Sequence, residues 1–220
     1  MPSTQAKLLI VDDEPAIRES LTRVLTEVGY SVRSAEDGFA ALHEIRNEPP
    51  DLLLSDLNMP RMTGFELLSV VRLRFPAIRV IAMSGWFSGD EVPSGVAADA
   101  FYQKGSSILA LIRIMETLPP LDRLTRHSTS TSPDVPLWIH RNTHDYSPEA
   151  YVTISCPECF RTFPKAIDAG YLKRKTDCIY CRSTIHYAIV PPPDRMPLVV
   201  YQRKTAVTIP FPRNATNLGY

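Results

Sequence analysis

The chain has 220 residues, 44% of them apolar and 22% charged, a composition that excludes a fibrous or low-complexity protein and gives enough length for one large core or two unequal ones. No apolar run approaches the roughly 18 residues of a membrane-spanning helix. The Leu8–Val11 run is too short for a signal-peptide core and meets Asp12 and Asp13 at once, so a cytoplasmic protein with no membrane partner is predicted. The formal net charge is zero, yet residues 1–118 carry 11 Lys and Arg against 16 Asp and Glu, whereas residues 119–220 carry 13 against 8. An acidic N-terminal part and a basic C-terminal part are expected to meet different partners.

From Lys7 to about Leu118, short apolar runs alternate with helical periods, the pattern of a parallel sheet covered on both faces. Strands are predicted at Lys7–Val11, Ser31–Ala35, Leu52–Ser55, Arg79–Met83 and Ala100–Tyr102. The first, third and fourth are almost purely aliphatic, as doubly covered strands must be. Pro15 is suited to open the first helix and Gly29 to close it, with Ile17, Leu21, Val24, Leu25 and Val28 on its inner face. Further helices are predicted at Phe39–Asn47, Gly64–Phe75 and Ser106–Leu118, the last with Ile108, Leu111, Ile112 and Met115 inward. A helix near Asp90–Ala98 is interrupted by Pro93 and Gly95 and is expected to be short.

Residues 119–136, rich in Pro, Ser and Thr, read as a linker between a domain at 1–118 and a smaller module at 137–193, with an extended or partly disordered tail at 194–220. In the module, strands are predicted at Tyr151–Ser155 and Ile185–Val190. Edge strands at Leu198–Tyr201 and Ala206–Ile209 are conceivable in the Pro-rich tail.

The predicted strand ends carry the chemistry. In an open parallel sheet, ligands bind beyond the carboxyl ends of the strands, near the reversal of strand order. Strand one ends in Asp12 and Asp13, strand three in Asp56, strand four in Ser84, and Lys104 follows strand five. Three carboxylates crowded together repel one another unless a cation sits between them, and hard oxygen donors suit Mg2+. Next to such an ion Asp56 becomes a nucleophile toward phosphorus, with Lys104 pairing one phosphoryl oxygen and Ser84 donating to another.

The stretches LLIVDDE, DLLLSDLNMPRMTG, VIAMSG and FYQK resemble a response-regulator receiver domain (CheY-like) of bacterial two-component signalling. That resemblance implies a flavodoxin-like, doubly wound five-stranded sheet in the order 2-1-3-4-5. By position it makes Asp56 the phosphoacceptor, Asp13 a direct Mg2+ ligand, Asp12 a ligand through water, and the backbone carbonyl of Asn58 a further ligand. Ser84 and Lys104 match the family's switch hydroxyl and phosphate-pairing lysine, and Tyr102 matches its switch aromatic, expected to rotate inward from solvent when Ser84 moves. A sensor histidine kinase or phosphotransfer protein is the implied donor, with self-catalysed phosphoryl uptake and autodephosphorylation. The sequence departs from the family in two places: Gly105 follows Lys104 where receivers usually carry proline, which leaves that loop freer, and the interrupted fourth helix lies where receivers commonly present their output face.

The module has its own signal. Cys156-Pro-Glu-Cys159 and Cys178-Ile-Tyr-Cys181 are separated by 18 residues, a spacing that directs four thiolates at one ion in a closed, structural site and resembles a zinc ribbon. So small a β-rich unit would draw much of its folding free energy from Zn2+. His140 and His144 share a spacing found in metal sites, but with four thiols available they are expected on the surface. Lys173, Arg174 and Lys175 read as a solvated basic face, with nucleic acid as a less favoured partner. The sequence therefore predicts a Mg2+-dependent response regulator whose zinc module serves an unidentified downstream protein. The rival reading is a zinc-dependent nucleic-acid binder on a constitutive receiver scaffold.

Overall fold

The computed structural model of the chain describes residues 5–86, 96–118, 136–140, 151–166 and 174–190. Five parallel strands, β1 (Lys7–Val11), β2 (Ser31–Ala35), β3 (Leu52–Asp56), β4 (Arg79–Ser84) and β5 (Ala100–Gln103), form a flavodoxin-like sheet in the order β2-β1-β3-β4-β5. Among the described residues, four helices accompany it: α1 (Pro15–Glu27), α2 (Gly38–Asn47), α3 (Gly64–Arg74) and α4 (Ile108–Thr117).

Alternation along the strands divides the core into two layers, because successive side chains leave a strand on opposite faces. Leu8, Ile10, Leu52, Leu54, Ile81 and Met83 pack in one layer with Leu25 of α1 and Leu111, Ile114 and Met115 of α4. Leu9, Val11, Leu53, Val80 and Ala82 pack in the other with α2 and α3. Strand ends and helix caps fall within a residue or two of the sequence expectation. Asp37, Thr63 and Ser107 each accept an N–H three residues on, which stops α2, α3 and α4 from fraying at their starts.

Several expectations need correcting. Val28 is 45% exposed, because it caps α1 after the last inward turn instead of continuing its apolar face. In α4 Ile114 joins the expected Leu111 and Met115 among the buried positions, while Ile108 and Ile112 pack against the same layer partly covered. Residues 96–98 are not helical, and the rest of the predicted Asp90–Ala98 helix lies outside the described residues, as do most of the 119–136 linker, His144, Lys173 and the 194–220 tail.

The C-terminal part builds five strands, of which two were expected. They are β6 (Leu137–His140), β7 (Tyr151–Ser155), β8 (Thr162–Ala166), β9 (Arg174–Asp177) and β10 (Thr184–Val190). β7 and β8 form an antiparallel hairpin, while β6 runs parallel and β9 antiparallel to β10. This unit does not hang from the first. Leu137, Ile139, Val152, Ile154, Phe163, Ile185, Tyr187 and Ile189 join the α2–α3 layer in one continuous apolar core.

Helix α3 shows why. From Gly64 to Val71 every residue is buried, including Glu66 and Ser69, so the helix has no solvent face along its first two turns. The large sheet covers one side and β6 lies along another; the Trp138 N–H donates to Ser69 Oγ at 3.2 Å. A helix buried all round needs an apolar sequence all round, which GFELLSVV supplies.

Candidate functional site

The carboxyl edge of the large sheet gathers the predicted acids. Asp12, Asp13 and Asp56 each offer an oxygen within 4.8 Å of the others. Asp12 and Asp56 are buried, whereas Asp13 is exposed. Asp12 Oδ1 accepts from the Glu14 N–H at 2.9 Å and the Asp12 carbonyl from Arg18 at 2.7 Å, so the turn leading into α1 holds this acid in place. Asp56 Oδ1 accepts from the Asn58 N–H at 3.2 Å.

Lys104 closes the cluster. Its Nζ stands 2.7 Å from Asp56 Oδ2 and 2.8 Å from Asp12 Oδ2, while its backbone N–H donates to the Ser84 carbonyl at 2.9 Å and ties β5 to β4. Burial pushes the Asp56 carboxyl above its ordinary range, with Asp12 adding to the shift and Lys104 opposing it. Burial pulls the Lys104 ammonium down, but its contacts with Asp12 and Asp56 outweigh this and hold it above the usual lysine range. Lys104→Met removes the only one of these charges that favours both carboxylates. It is expected to lower thermal stability by about 3–5 kcal/mol in Mg2+-free buffer, the usual loss when one partner of a buried ion pair is removed, and to recover part of it when Mg2+ is added. Differential scanning calorimetry with and without Mg2+ measures both.

Ser84 is fully buried and its Oγ accepts from the Trp86 N–H at 3.1 Å, leaving the Trp86 ring 79% exposed beside the cluster. Tyr102 departs from expectation. It is 6% exposed, packed with the Met83 and Leu111 layer, and its hydroxyl donates to the Ser106 carbonyl at 2.8 Å. The ring already occupies the inward position because its polar end has a backbone partner there. Gly105 adopts a φ of +86°, a left-handed conformation that proline's ring forbids. The Ser106 N–H closes the same turn onto the Gln103 carbonyl at 3.1 Å, so the loop is held by hydrogen bonds despite the glycine.

The segment between β3 and α3 is pinned from several sides. The Leu57 N–H donates to the Met83 carbonyl at 2.9 Å, the Gly64 N–H to the Leu57 carbonyl at 3.0 Å, Met59 and Met62 are buried, and Arg61 pairs with Asp37 at the start of α2. Gly64 sits so close that a Cβ there would lie 2.0 Å from the Asp56 carbonyl oxygen.

The four cysteines also converge, and their turns repeat one geometry. The Cys156 N–H bonds to the Arg161 carbonyl and the Phe160 N–H to the Cys156 carbonyl; the Cys178 N–H bonds to Ser183 and the Arg182 N–H to Cys178 in the same way. Phe160 and Arg182, each four residues after the first cysteine of its pair, have φ values of 58° and 63°. Cys156 and Cys181 sulfurs are 3.6 Å apart and Cys159 and Cys178 sulfurs 3.7 Å, too far for disulfides and close to the separation of about 3.8 Å that a tetrahedral ion with 2.3 Å metal–sulfur bonds imposes. The Ser183 hydroxyl and N–H draw the Cys181 thiol down to about 6. Burial and neighbouring thiols push Cys156 and Cys159 up. Arg174 and Lys175 lie in β9, paired with β10.

Sequence reasoning missed the junction between the two sites. Glu66, in the first turn of α3, accepts the Ser155 N–H on Oε1 at 2.7 Å, and the residue after Ser155 is Cys156. Thr63-Gly-Phe-Glu66 has the form of a capping box, in which the glutamate normally turns back to its own helix start; here it reaches the module instead. Burial raises the Glu66 carboxyl to about 7, opposed by the Ser155 contact.

Clustered acids, a buried hydroxyl and a lysine thus stand at the carboxyl edge of a flavodoxin-like sheet. The sequence profile of the response regulator receiver domain matches residues 8–103. Response regulator MprA of Mycobacterium sp. strain KMS is 35% identical over 132 residues, covering 59% of this chain and 55% of MprA, so the chain spans about half the length of that relative. Among solved structures, NtrX of Brucella abortus is 28% identical with a TM-score of 0.51, covering 56% of this chain and 29% of NtrX. The signal receiver domain of an HD domain-containing protein from Pseudomonas fluorescens Pf-5 shares the fold at 20% identity and a TM-score of 0.51, over 58% of this chain and 96% of that one. Among the described residues, no helix is long and apolar enough to cross a membrane.

Proposed function

We propose that the chain is a two-component response regulator that accepts a phosphoryl group on Asp56 from a histidine kinase, with a structural Zn2+ in its C-terminal module. The observation that carries the reading is the bridge made by Lys104 between Asp56 and Asp12, with Asp13 beside them. A part-buried lysine held between two buried carboxylates at the carboxyl edge of a parallel sheet is the arrangement expected of a functional site.

Asp12, Asp13, Asp56 and the Asn58 carbonyl would hold Mg2+. The donor set is all hard oxygen, with one oxygen from each of three carboxylates gathered within 4.8 Å, which fits a cation site. When bound, the ion supplies positive charge against the incoming phosphoryl oxygens. An Asp56 carboxylate oxygen attacks phosphorus in line as the bond between phosphorus and the donor imidazole nitrogen breaks, and the electron pair of that bond leaves with the nitrogen, which takes up a proton. Lys104 moves from carboxylate to phosphoryl oxygen, and Ser84 turns its hydroxyl toward a second. A cavity of about 350 Å³ between α1 and β5, lined by Ala16, Ile17, Ser20, Met83, Tyr102 and Lys104, gives a donor group room beside the lysine. Hydrolysis by water would return the Asp56 carboxylate and inorganic phosphate.

The four thiolates leave no open position on a bound ion, so the module's metal is structural and does no chemistry. Intact-mass analysis of the full chain with Mg2+ and acetyl phosphate tests the central claim. One phosphoryl mass is expected on the wild-type chain and none on Asp56→Asn; an unmodified, folded, Mg2+-saturated wild-type chain would refute it.

A further inference from the structure

The turn that carries Cys156 and Cys159 is fastened to the receiver by the residues that alternate with the cysteines. The Ser155 N–H donates to Glu66 at the start of α3. Glu158 pairs with Arg74 at its end, at 2.9 Å. The Phe160 ring stacks on Phe75 with centroids 6.2 Å apart, and the Arg46 guanidinium of α2 lies over the Phe160 ring at 5.3 Å from its centroid. The second cysteine turn has its own anchor: Cys178 directly follows β9, and β9 leads through β10 to β6 along α3. An ion held by all four sulfurs therefore clamps two pieces of the module that grip α3 at different places.

Helix α3 continues directly from the segment that presents Asp56 and Asn58. Gly64, two residues before Glu66, lies against the Asp56 carbonyl and bonds to Leu57. A metal-free module this small loses much of its folding energy and, once loosened, leaves the buried flank of α3 uncovered. The apolar turn from Gly64 to Val71 would then repack, and the phosphoacceptor segment would lose the frame that orders it.

We infer that the four-cysteine module is a second input to the receiver: occupancy by a thiophilic divalent ion braces α3 and makes the Asp56 segment competent, so metal loading and phosphoryl acceptance strengthen each other. This rests on the phosphoacceptor and four-sulfur readings above. The sign follows from linkage. Zinc and a phosphoryl group both select the docked, ordered state, so each pays the ordering cost for the other. Reciprocity then requires one coupling factor for both directions, and couplings of this kind are typically about 5-fold or more.

The test uses the full chain, Zn2+, and Mg2+ with beryllofluoride as a non-covalent stand-in for the phosphoryl group. Zinc affinity is read by competition with a chromophoric chelator, and beryllofluoride affinity by tryptophan fluorescence, Trp86 lying next to Ser84. Beryllofluoride is expected to tighten zinc at least fivefold, and zinc to tighten beryllofluoride by the same factor. Glu66→Leu, which removes the acceptor for the Ser155 N–H, should bring the factor toward one while both ligands still bind. Glu66→Gln, which keeps an acceptor there, should preserve it. If both ligands bind wild type and the factor is below two, the inference is wrong and both site readings stand. A chain that takes up no zinc refutes it through the cysteine reading, and one that binds no beryllofluoride refutes it through the phosphoacceptor reading.

Discussion

Gly64→Ala is expected to destabilise the whole chain by about 3 kcal/mol or more and to slow phosphorylation about 100-fold. The new methyl would stand 2.0 Å from the Asp56 carbonyl oxygen, 2.7 Å from Leu57 Cα and 2.8 Å from Asp56 C. All three are backbone atoms, so no rotamer change relieves the clash. Either β3 shifts and displaces Asp56 from Lys104, or α3 shifts and lifts from the sheet on one side and from β6 on the other. At about 2–4 °C per kcal/mol for a chain of this size, the melting temperature should fall by about 10 °C. Gly38→Ala supplies the contrast. The three atoms nearest its Cβ, Met62 Sδ at 2.5 Å, Cγ at 2.6 Å and Cβ at 3.0 Å, all belong to one side chain instead of the backbone, so a rotamer change relieves part of the clash and the loss should be smaller. Thermal melts and acetyl phosphate kinetics on both variants separate a backbone collision from a side-chain one. A Gly64→Ala chain as stable and as reactive as wild type would mean that the close approach of α3 to Asp56 is not required.

The receiver half was legible because its signals are local and periodic. An aliphatic run such as Leu52–Leu54 ending in an acid states both a doubly covered strand and its functional end, and Pro15 and Gly29 bracket α1 without tertiary information. The acid cluster could be read because the sheet's strand ends place Asp12, Asp13 and Asp56 at one edge whatever the loop details. What failed there depended on packing. Nothing in FYQK reveals that the Tyr102 hydroxyl would find the Ser106 carbonyl and hold the ring inward.

The C-terminal half was legible as chemistry and not as structure. Cysteine spacing points to one metal site, but β9 is Arg-Lys-Thr-Asp, with no apolar alternation, and exists because β10 offers it a partner. β8 contains Pro164 at its centre, which an edge position in a two-stranded hairpin tolerates. Least visible was the docking of the module on α3. Its trace lay in GFELLSVV, a helix too apolar all round to have a solvent face, and in a capping-box glutamate that was free to pair elsewhere. A charge asymmetry that suggests two separate partners says nothing about two parts sharing one core.

Glu66 carries the second large prediction, on the dependence of stability on pH. Its carboxyl is 3% exposed and raised to about 7 from an ordinary 4.5, burial being the main cause. A carboxyl raised on folding favours the folded state fully below its unfolded value, where both forms are neutral. That advantage is lost as pH climbs from about 4.5 through about 7, since the unfolded chain ionises first. A difference of this size amounts to about 3 kcal/mol by pH 8. Glu66→Gln keeps an acceptor for the Ser155 N–H and cannot ionise. The two chains should therefore be equally stable near pH 4.5, and the glutamine chain should be the more stable above pH 7 by about 3 kcal/mol. Urea unfolding of zinc-loaded protein at several pH values measures this. Taking the difference between the chains cancels every other titrating group, the cysteines included. Because burial and not the Ser155 contact penalises the charge, the same ionisation favours openings that bring Glu66 into water, so hydrogen exchange at the Ser155 amide through such openings should accelerate with pH in wild type beyond its intrinsic rise. In Glu66→Gln it should follow the intrinsic rise alone. Equal pH profiles in the two chains would show that the carboxyl is ionised without penalty, and that water or a cation reaches it at the junction.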